Sequence, residues 1–443
     1  MLQIRGRSAR LRDLLLLGVI IRIIFVPFFA HPFDMNAWYL YIDKVIQSGV
    51  SLSIIGINPI WNLVLVFDAY VYNFLSSILH ISVIPVSNLP ANFDPSYGIT
   101  SIMDPLFNTI VKIPFIVADI FSALLIYRIV YFHTKDSVIS WRTSAIFYLS
   151  PIVIWISGAW GQYDSLPVFF TLLAFYFLLV KNRTFLSSFS LTIAVLIKIY
   201  PIIFLVPIII SILRFESGRI KKLAIYLMPF LPLFIYGILF QQSGVVLLIQ
   251  GMLTQSEIFF INGFGLTYWS ISLILPIDIF WASIIRNIVL VSLILVSIHY
   301  IVFRAKTRYT VIVFGSLLFT IALFLSLFVV TEQRSIILLA LLSLVTIKIP
   351  SMRKYVIILS FAAFLYAQKN FPFYLLPIAA KFPDIFSFLF SYASQFVQRS
   401  PEFISPTLNM GVILFIIGAS FSALLVIIVY RIFRFDEYQN ING

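Results

Sequence analysis

The chain of 443 residues has no cysteine, four histidines and only 17 acidic residues, and charged side chains make up 11% of it. Without cysteine there is neither a disulfide framework nor a thiolate metal site. The histidines are scattered at 31, 80, 133 and 299, and no H-E-x-x-H, G-x-S-x-G or glycine-rich phosphate cradle occurs, which argues against histidine-based metal catalysis and nucleotide hydrolysis. Scarcity of charge excludes a water-soluble globular protein, which would be about a quarter charged. What fills the chain instead is apolar: 61% of the residues are hydrophobic and 17% aromatic. Such a composition implies an all-α polytopic membrane protein.

A spanning helix needs roughly 20 mostly apolar residues. About twelve runs approach that length, near 13–30, 109–130, 143–159, 165–180, 184–197, 201–213, 223–240, 277–303, 309–330, 335–349, 354–370 and 407–430. The formal charge of +13 is then a topology signal rather than a nucleic-acid footprint. With the arginine-rich N-terminus inside, alternation also places Arg128/Lys135/Arg142, Lys181/Arg183, Arg214 to Lys222, Arg304 to Arg308, Lys348 to Lys354 and Arg431/Arg434 inside. Both termini are therefore expected in the cytoplasm. The first run carries Arg22 and lacks a small-residue cleavage site, so it reads as a retained anchor.

The long outer segments are 31–108, 241–276 and 371–406, and loops of that length usually carry function. In the first, "HPFDMNAWYLYIDKV" suggests an interfacial helix, and 59–79 is assigned to an interfacial or re-entrant hairpin to preserve the charge asymmetry. Two regions follow: a catalytic module over 1–350 and a C-terminal membrane region over 351–443.

On this map Asp34, Asp43, Asp68, Asp94, Asp104, Asp164, Glu257, Glu332, Asp384 and Glu402 all fall on the outer face. Asp34 follows the first helix; it could be a general base with a raised pKa, or merely a helix cap or a solvated loop residue. Gln162, Tyr163 and Asp164 could grip sugar hydroxyls, with Trp160 or Tyr163 stacking on the ring, or Asp164 and Ser165 could simply cap the next helix. Arg334, after Glu332 and Gln333, could hold a phosphate or mark the membrane boundary, and Lys198 has the same two readings. Within the membrane Arg22, Asp119 and Arg286 are costly unless paired. Arg286 lies near enough to the outer end to reach a lipid phosphate, while Asp119 is best explained as the neutraliser of an arginine.

The order of parts, with Asp34, "KIPFIVADIFSALLIYRIV", "LSPIVIWISGAWGQYDSLP", "IKIYPIIFLVP" and "TEQRSIILLALLSL", resembles the GT-C superfamily of membrane glycosyltransferases over roughly residues 10–350. The likeness is greatest to mannosyltransferases that use lipid-phosphate sugars and to dolichol-pathway glucosyltransferases. It implies a catalytic aspartate at Asp34, an acceptor and sugar site around Trp160, Gln162, Tyr163, Asp164 and Glu332, and a donor phosphate held by Arg334, Lys198 or Arg286. The chain has "NPIWNLV" where relatives often have Tyr-Pro-Pro-Leu, and Asp34-Met35-Asn36 in place of Asp-x-Asp.

The implied reaction is inverting transfer of a hexose, mannose before glucose, from a polyprenyl (dolichyl) phosphate donor to a glycan or lipid-linked acceptor. The site would be extracytoplasmic, in a prokaryotic cell membrane rather than the endoplasmic reticulum. No cofactor is firmly implied, a divalent metal has no support in the residues, and no nucleic acid is expected. The alternative is a transporter or flippase of lipid-linked glycans, which would more often show internal repeats and midplane polar sites.

Overall fold

The computed structural model describes residues 2–50, 58–85, 99–231, 265–275, 277–328, 330–382, 384–385, 388 and 408–441. Asp94, Glu257, Glu402, the end of the expected span 223–240 and most of the segments 241–276 and 371–406 lie outside the described residues. Among those described the fold is all-α, apart from a two-residue antiparallel pairing of β1 (Ile84–Pro85) with β2 (Ser101–Ile102).

Proline sets where several helices begin, since its fixed φ suits a first turn whose N–H groups have no partner. Helix α1 (Leu2–Phe25) gives way at Pro27; α2 (Pro32–Ser48), α3 (Pro59–Leu79) and α4 (Pro105–Thr134) each start on one. Asp104 caps α4, accepting from the N–H groups of Leu106 at 2.7 Å and Phe107 at 2.9 Å, and takes the Tyr72 hydroxyl at 2.7 Å.

Residues 59–79 do not form a hairpin. After Pro59 the stretch has no proline or glycine to turn it, so it makes one helix, α3, long and apolar enough to cross a bilayer. Yet α3 climbs only the first half of α4: Trp61 packs on Phe115, Tyr72 on Phe107. The chain then returns through β1 and β2 to the start of α4.

The expected span 143–159 is also broken. Helix α5 (Ser137–Tyr148) and the short α6 (Pro151–Ile154), continued by a π-helical turn at Trp155–Trp160, bend by 54°. Pro151 is the cause, because the residue before a proline is driven out of the helical region, and Ser150 sits at φ −57, ψ 128.

Helices α7 (Ser165–Leu179) and α8 (Thr184–Ile197) follow, then a 3₁₀ turn (Tyr200–Phe204) leading into α9 (Leu205–Phe215) and α10 (Arg219–Leu227). Beyond them lie α11 (Ile279–His299), α12 (Gly315–Ser326), α13 (Ser335–Val345), α14 (Arg353–Ala367), α15 (Phe371–Tyr374), α16 (Leu376–Lys381) and α17 (Leu408–Ile441). Among the described residues four helices are long and apolar enough to span, or five if the bent pair counts as one. Several expected spans, such as α7 and α8, are shorter than roughly 20 residues. The chain is a multi-pass membrane protein, with four or five candidate spans among the described residues.

Every residue of α13 is buried, which its apolar all-round sequence "SIILLALLSLV" requires. Around it, α4 fastens α1 with one polar face. Asn108, Lys112 and Asp119 recur at spacings that a 3.6-residue period brings to the same side of α4. Asn108 donates to Pro27 O at 3.2 Å, and Asp119 meets the fully buried Arg22 at 2.9 Å. The expectation that Asp119 neutralises an arginine is met by this pair.

Candidate functional site

The ends of α1, the π-helical turn, α8 and α14 and the starts of α2, α7 and α13 converge at one end of the molecule. That end carries Asp34, Trp160, Gln162, Tyr163, Asp164, Lys198, Glu332 and Arg334. At the opposite end the basic loops gather: Arg308 meets Glu216 at 2.6 Å and Asn182 at 2.9 Å, and Lys222 pairs with Glu216.

Asp34 belongs to the first turn of α2, whose N-cap is His31. It does not follow α1 as a loose residue. Its carboxylate faces His31 Nδ1 at 3.1 Å and accepts the Trp160 indole N–H at 2.5 Å, and its side chain remains 27% exposed. Burial would raise its pKa, but His31, Trp160 and Gln162 outweigh that and pull it from 3.8 to about 2. The expected raised pKa is therefore reversed. A carboxylate held this firmly in its charged form is a weak proton acceptor at neutral pH, where a general base works best with a pKa close to the pH.

Trp160 stacks on His31 at 4.6 Å and meets Tyr374 edge-on at 5.6 Å, leaving it only 4% exposed. Tyr163 lies flat on Trp61 at 4.8 Å, with Trp38 against it and the Asn58 amide donating to its hydroxyl at 3.4 Å. Burial first, then Asp164 and Asp34, push its phenol up, so it stays neutral. Both rings are thus covered by neighbouring side chains, and neither is the open sugar-stacking platform expected. Gly161 makes the turn possible: its φ is +88, and a Cβ there would run into Met35 Sδ.

Asp164 occupies the N-cap position of α7 without a side-chain capping bond. Its carboxylate instead binds Lys198 Nζ at 2.8 Å, and Lys198 lies over the Tyr163 ring at 4.8 Å. Arg334 stands in the same field: burial pulls its pKa down, while Asp164, Tyr200 and Tyr163 oppose the shift. Glu332 is turned away to Lys369, at 2.8 Å. Below Arg334 and Tyr200 opens a narrow crevice lined by Ile203, Leu323, Phe324, Leu327 and Ile337. Its exposed lining is wholly apolar. The Tyr200 hydroxyl at the crevice, and Gln162 Oε1 and Asp164 Oδ1 in the turn before α7, are buried without a hydrogen-bond partner among the described residues.

Arg286 stands apart from this group. It is buried against Phe328, 4.8 Å from the ring, and bonds Asn287. Among the described residues no group of three His, Asp or Glu side chains could hold a metal ion. Sequence reasoning missed His31, Tyr200, Lys369, Tyr374 and above all Lys112; a lysine inside an apolar run was the available signal for the last.

Fold and site define an all-α membrane protein with a polar, partly charged rim above an apolar crevice. Over residues 95–286 the chain matches the family model described as GPI transamidase subunit PIG-U, a stretch that holds Trp160 to Asp164 and Lys198 but neither Asp34 nor Arg334. No curated protein matches the chain.

This similarity overturns two expectations. The matched family is named for a transamidase subunit, so neither a hexosyltransferase nor a transporter of lipid-linked glycans is retained. A polyprenyl phosphate sugar donor and a preference for a prokaryotic membrane lose their support with them. An order of parts along a helical membrane chain does not by itself fix chemistry.

Proposed function

We propose that the chain is a non-catalytic, lipid-recognising subunit of a transamidase-type membrane complex, and that its rim binds the head of a GPI-type phosphoglycolipid. The observation that carries this reading is the placement of Arg334 at the apolar crevice, in the electrostatic field of Asp164, which pairs with Lys198. A phosphodiester meets Arg334 and Lys198, sugar hydroxyls or an amine meet Asp34 and Asp164, and one apolar chain enters the crevice. An arginine fork and a lysine are well suited to phosphate.

The acyl-transfer step belongs to another chain. This one has no cysteine, and among the described residues no hydroxyl is hydrogen-bonded to His31 as an activated nucleophile would be. The shared end of all rim residues supports a twelve-span arrangement with the rim extracytoplasmic and both termini cytoplasmic, and a 1–350 module carrying the site.

The test is mass spectrometry of lipids that copurify with the full-length chain. A phosphoglycolipid is expected with the wild type and depleted in Arg334→Gln. Its absence from the wild type, or equal recovery with the variant, rejects the reading.

A further inference from the structure

Lys112 has no role in the lipid reading so far, and its surroundings are unusual. It is fully buried on α4, and among the described residues no carboxylate bonds it. Its ammonium donates to Val26 O at 3.1 Å, to Phe29 O, to Gly158 O at 3.2 Å and to Ala159 O at 3.2 Å.

Those four carbonyls come from two helix ends. The last carbonyls of any helix lack partners within it and must find them elsewhere. At the π-helical turn Gly158 O and Ala159 O go to Lys112, Trp160 O takes the His31 N–H at 3.0 Å, and Gly161 O takes the Trp38 indole at 3.3 Å. After α1, Val26 O and Phe29 O go to Lys112 and Pro27 O to Asn108. Just downstream of one end lie His31 and Asp34, and just downstream of the other lie Trp160 and Gln162. No other side chain named in the rim touches both ends through the backbone.

The geometry points to Lys112 as a positioning residue that ties the end of α1 to the π-helical turn and thereby sets the Trp160–Asp34 bond and the shape of the headgroup rim. Its effect on lipid binding rests on the proposed function; the tie between the two backbones does not. A buried ammonium with four carbonyl acceptors for three protons is held by backbone dipoles alone, so removing it strands carbonyls at both ends together.

The experiment uses the full-length chain in lipid nanodiscs with 5-fluorotryptophan, the Trp160 ¹⁹F line being assigned by Trp160→Phe. Lys112→Met keeps the length of the side chain and removes its donors, and Lys112→Arg keeps the cation. In Lys112→Met the Trp160 line is expected to shift or split while tryptophans away from the rim keep theirs. Affinity for a synthetic GPI-type phosphoglycolipid is expected to fall about tenfold, with Lys112→Arg recovering part of both.

A folded Lys112→Met with an unmoved Trp160 line overturns the inference, whether or not binding falls. A moved line in a chain whose wild type binds no phosphoglycolipid rejects the functional reading and leaves the clamp standing. If Lys112→Met does not fold, ¹⁵Nζ to carbonyl-¹³C correlations in the wild type decide. Correlations to both helix ends support the clamp, and correlations to one end only overturn it.

Discussion

Two charged clusters differ in how far they are sealed from solvent. In the seam between α1 and α4, Arg22 is fully buried and all three of its guanidinium nitrogens are engaged: Nε and Nη2 with Asp119, Nε also with Ser157, Nη1 with Gly18 O and Nη2 with Tyr148 O. Its guanidinium also lies 4.4 Å over the Tyr148 ring. At the rim, Lys198 keeps 18% of its side chain exposed, and Asp164 Oδ1, Gln162 Oε1 and the Tyr200 hydroxyl have no partner among the described residues. Buried polar groups normally find partners within the fold. Asp119 Oδ1 in the seam also lacks a partner among the described residues, so what separates the clusters is access: the seam is fully buried, whereas the rim keeps Lys198 18% and Asp34 27% exposed to something that arrives.

The largest effect is expected in the seam. Arg22→Ala or Asp119→Ala strands a buried charge and should lower stability by about 3–5 kcal/mol. Replacing both by leucine should recover most of that loss, as thermal unfolding of the purified chain would report. Equal losses in the single and double variants would mean that packing, not charge, holds the seam.

At the rim the order of effects turns over. Arg334→Gln should leave thermal stability within about 1 kcal/mol and weaken phosphoglycolipid binding about tenfold. Titration with a fluorescent phosphoglycolipid measures it; a stability loss as large as that of Arg22→Ala would erase the distinction between the clusters.

Acid sharpens the comparison at Asp34. Its pKa in the folded chain, about 2, lies below the ordinary 3.8. Its contribution to stability is therefore complete above about pH 4 and is lost as pH falls through about 2. Trp160→Phe removes one donor and should move that midpoint upward towards 3.8, leaving stability between pH 5 and 8 within about 0.5–1.5 kcal/mol. Melting curves across pH 5 to 2 follow both.

The smallest effect on the fold is Tyr200→Phe. Deleting a buried hydroxyl that has no partner among the described residues should cost less than about 0.5 kcal/mol or even stabilise the chain. Lipid binding should nonetheless weaken severalfold, a split visible by running the melt and the lipid titration on the same sample.

Much of the helical framework was legible in the sequence where apolar runs are long and uninterrupted. Helices α7 and α8 fall within a residue of expectation, and Arg22 and Asp119 found each other as intramembrane charges must. The convergence of Asp34, Asp164, Lys198 and Arg334 was also legible, because alternation along the chain sets which helix ends are neighbours. The bend before Pro151 was signalled and overlooked in favour of hydropathy, which does not register a kink.

What Lys112 binds was illegible for a different reason, although a lysine in an apolar run was visible. Its partners are backbone carbonyls, which leave no trace in residue identity. The covered faces of Trp160 and Tyr163 likewise depend on His31, Trp61 and Tyr374, which are distant in sequence. Activity was the least legible of all, since a polar rim over a lipid crevice serves binding and transfer alike.

The central claim is tested most directly by photocrosslinking a GPI-type phosphoglycolipid with a diazirine in its acyl chain to the full-length chain in membranes. Labelling is expected on the crevice residues between Leu323 and Ile337, lost in Arg334→Gln and unaffected by excess polyprenyl phosphate mannose. Labelling that avoids this segment, or that polyprenyl phosphate mannose displaces, would contradict the account.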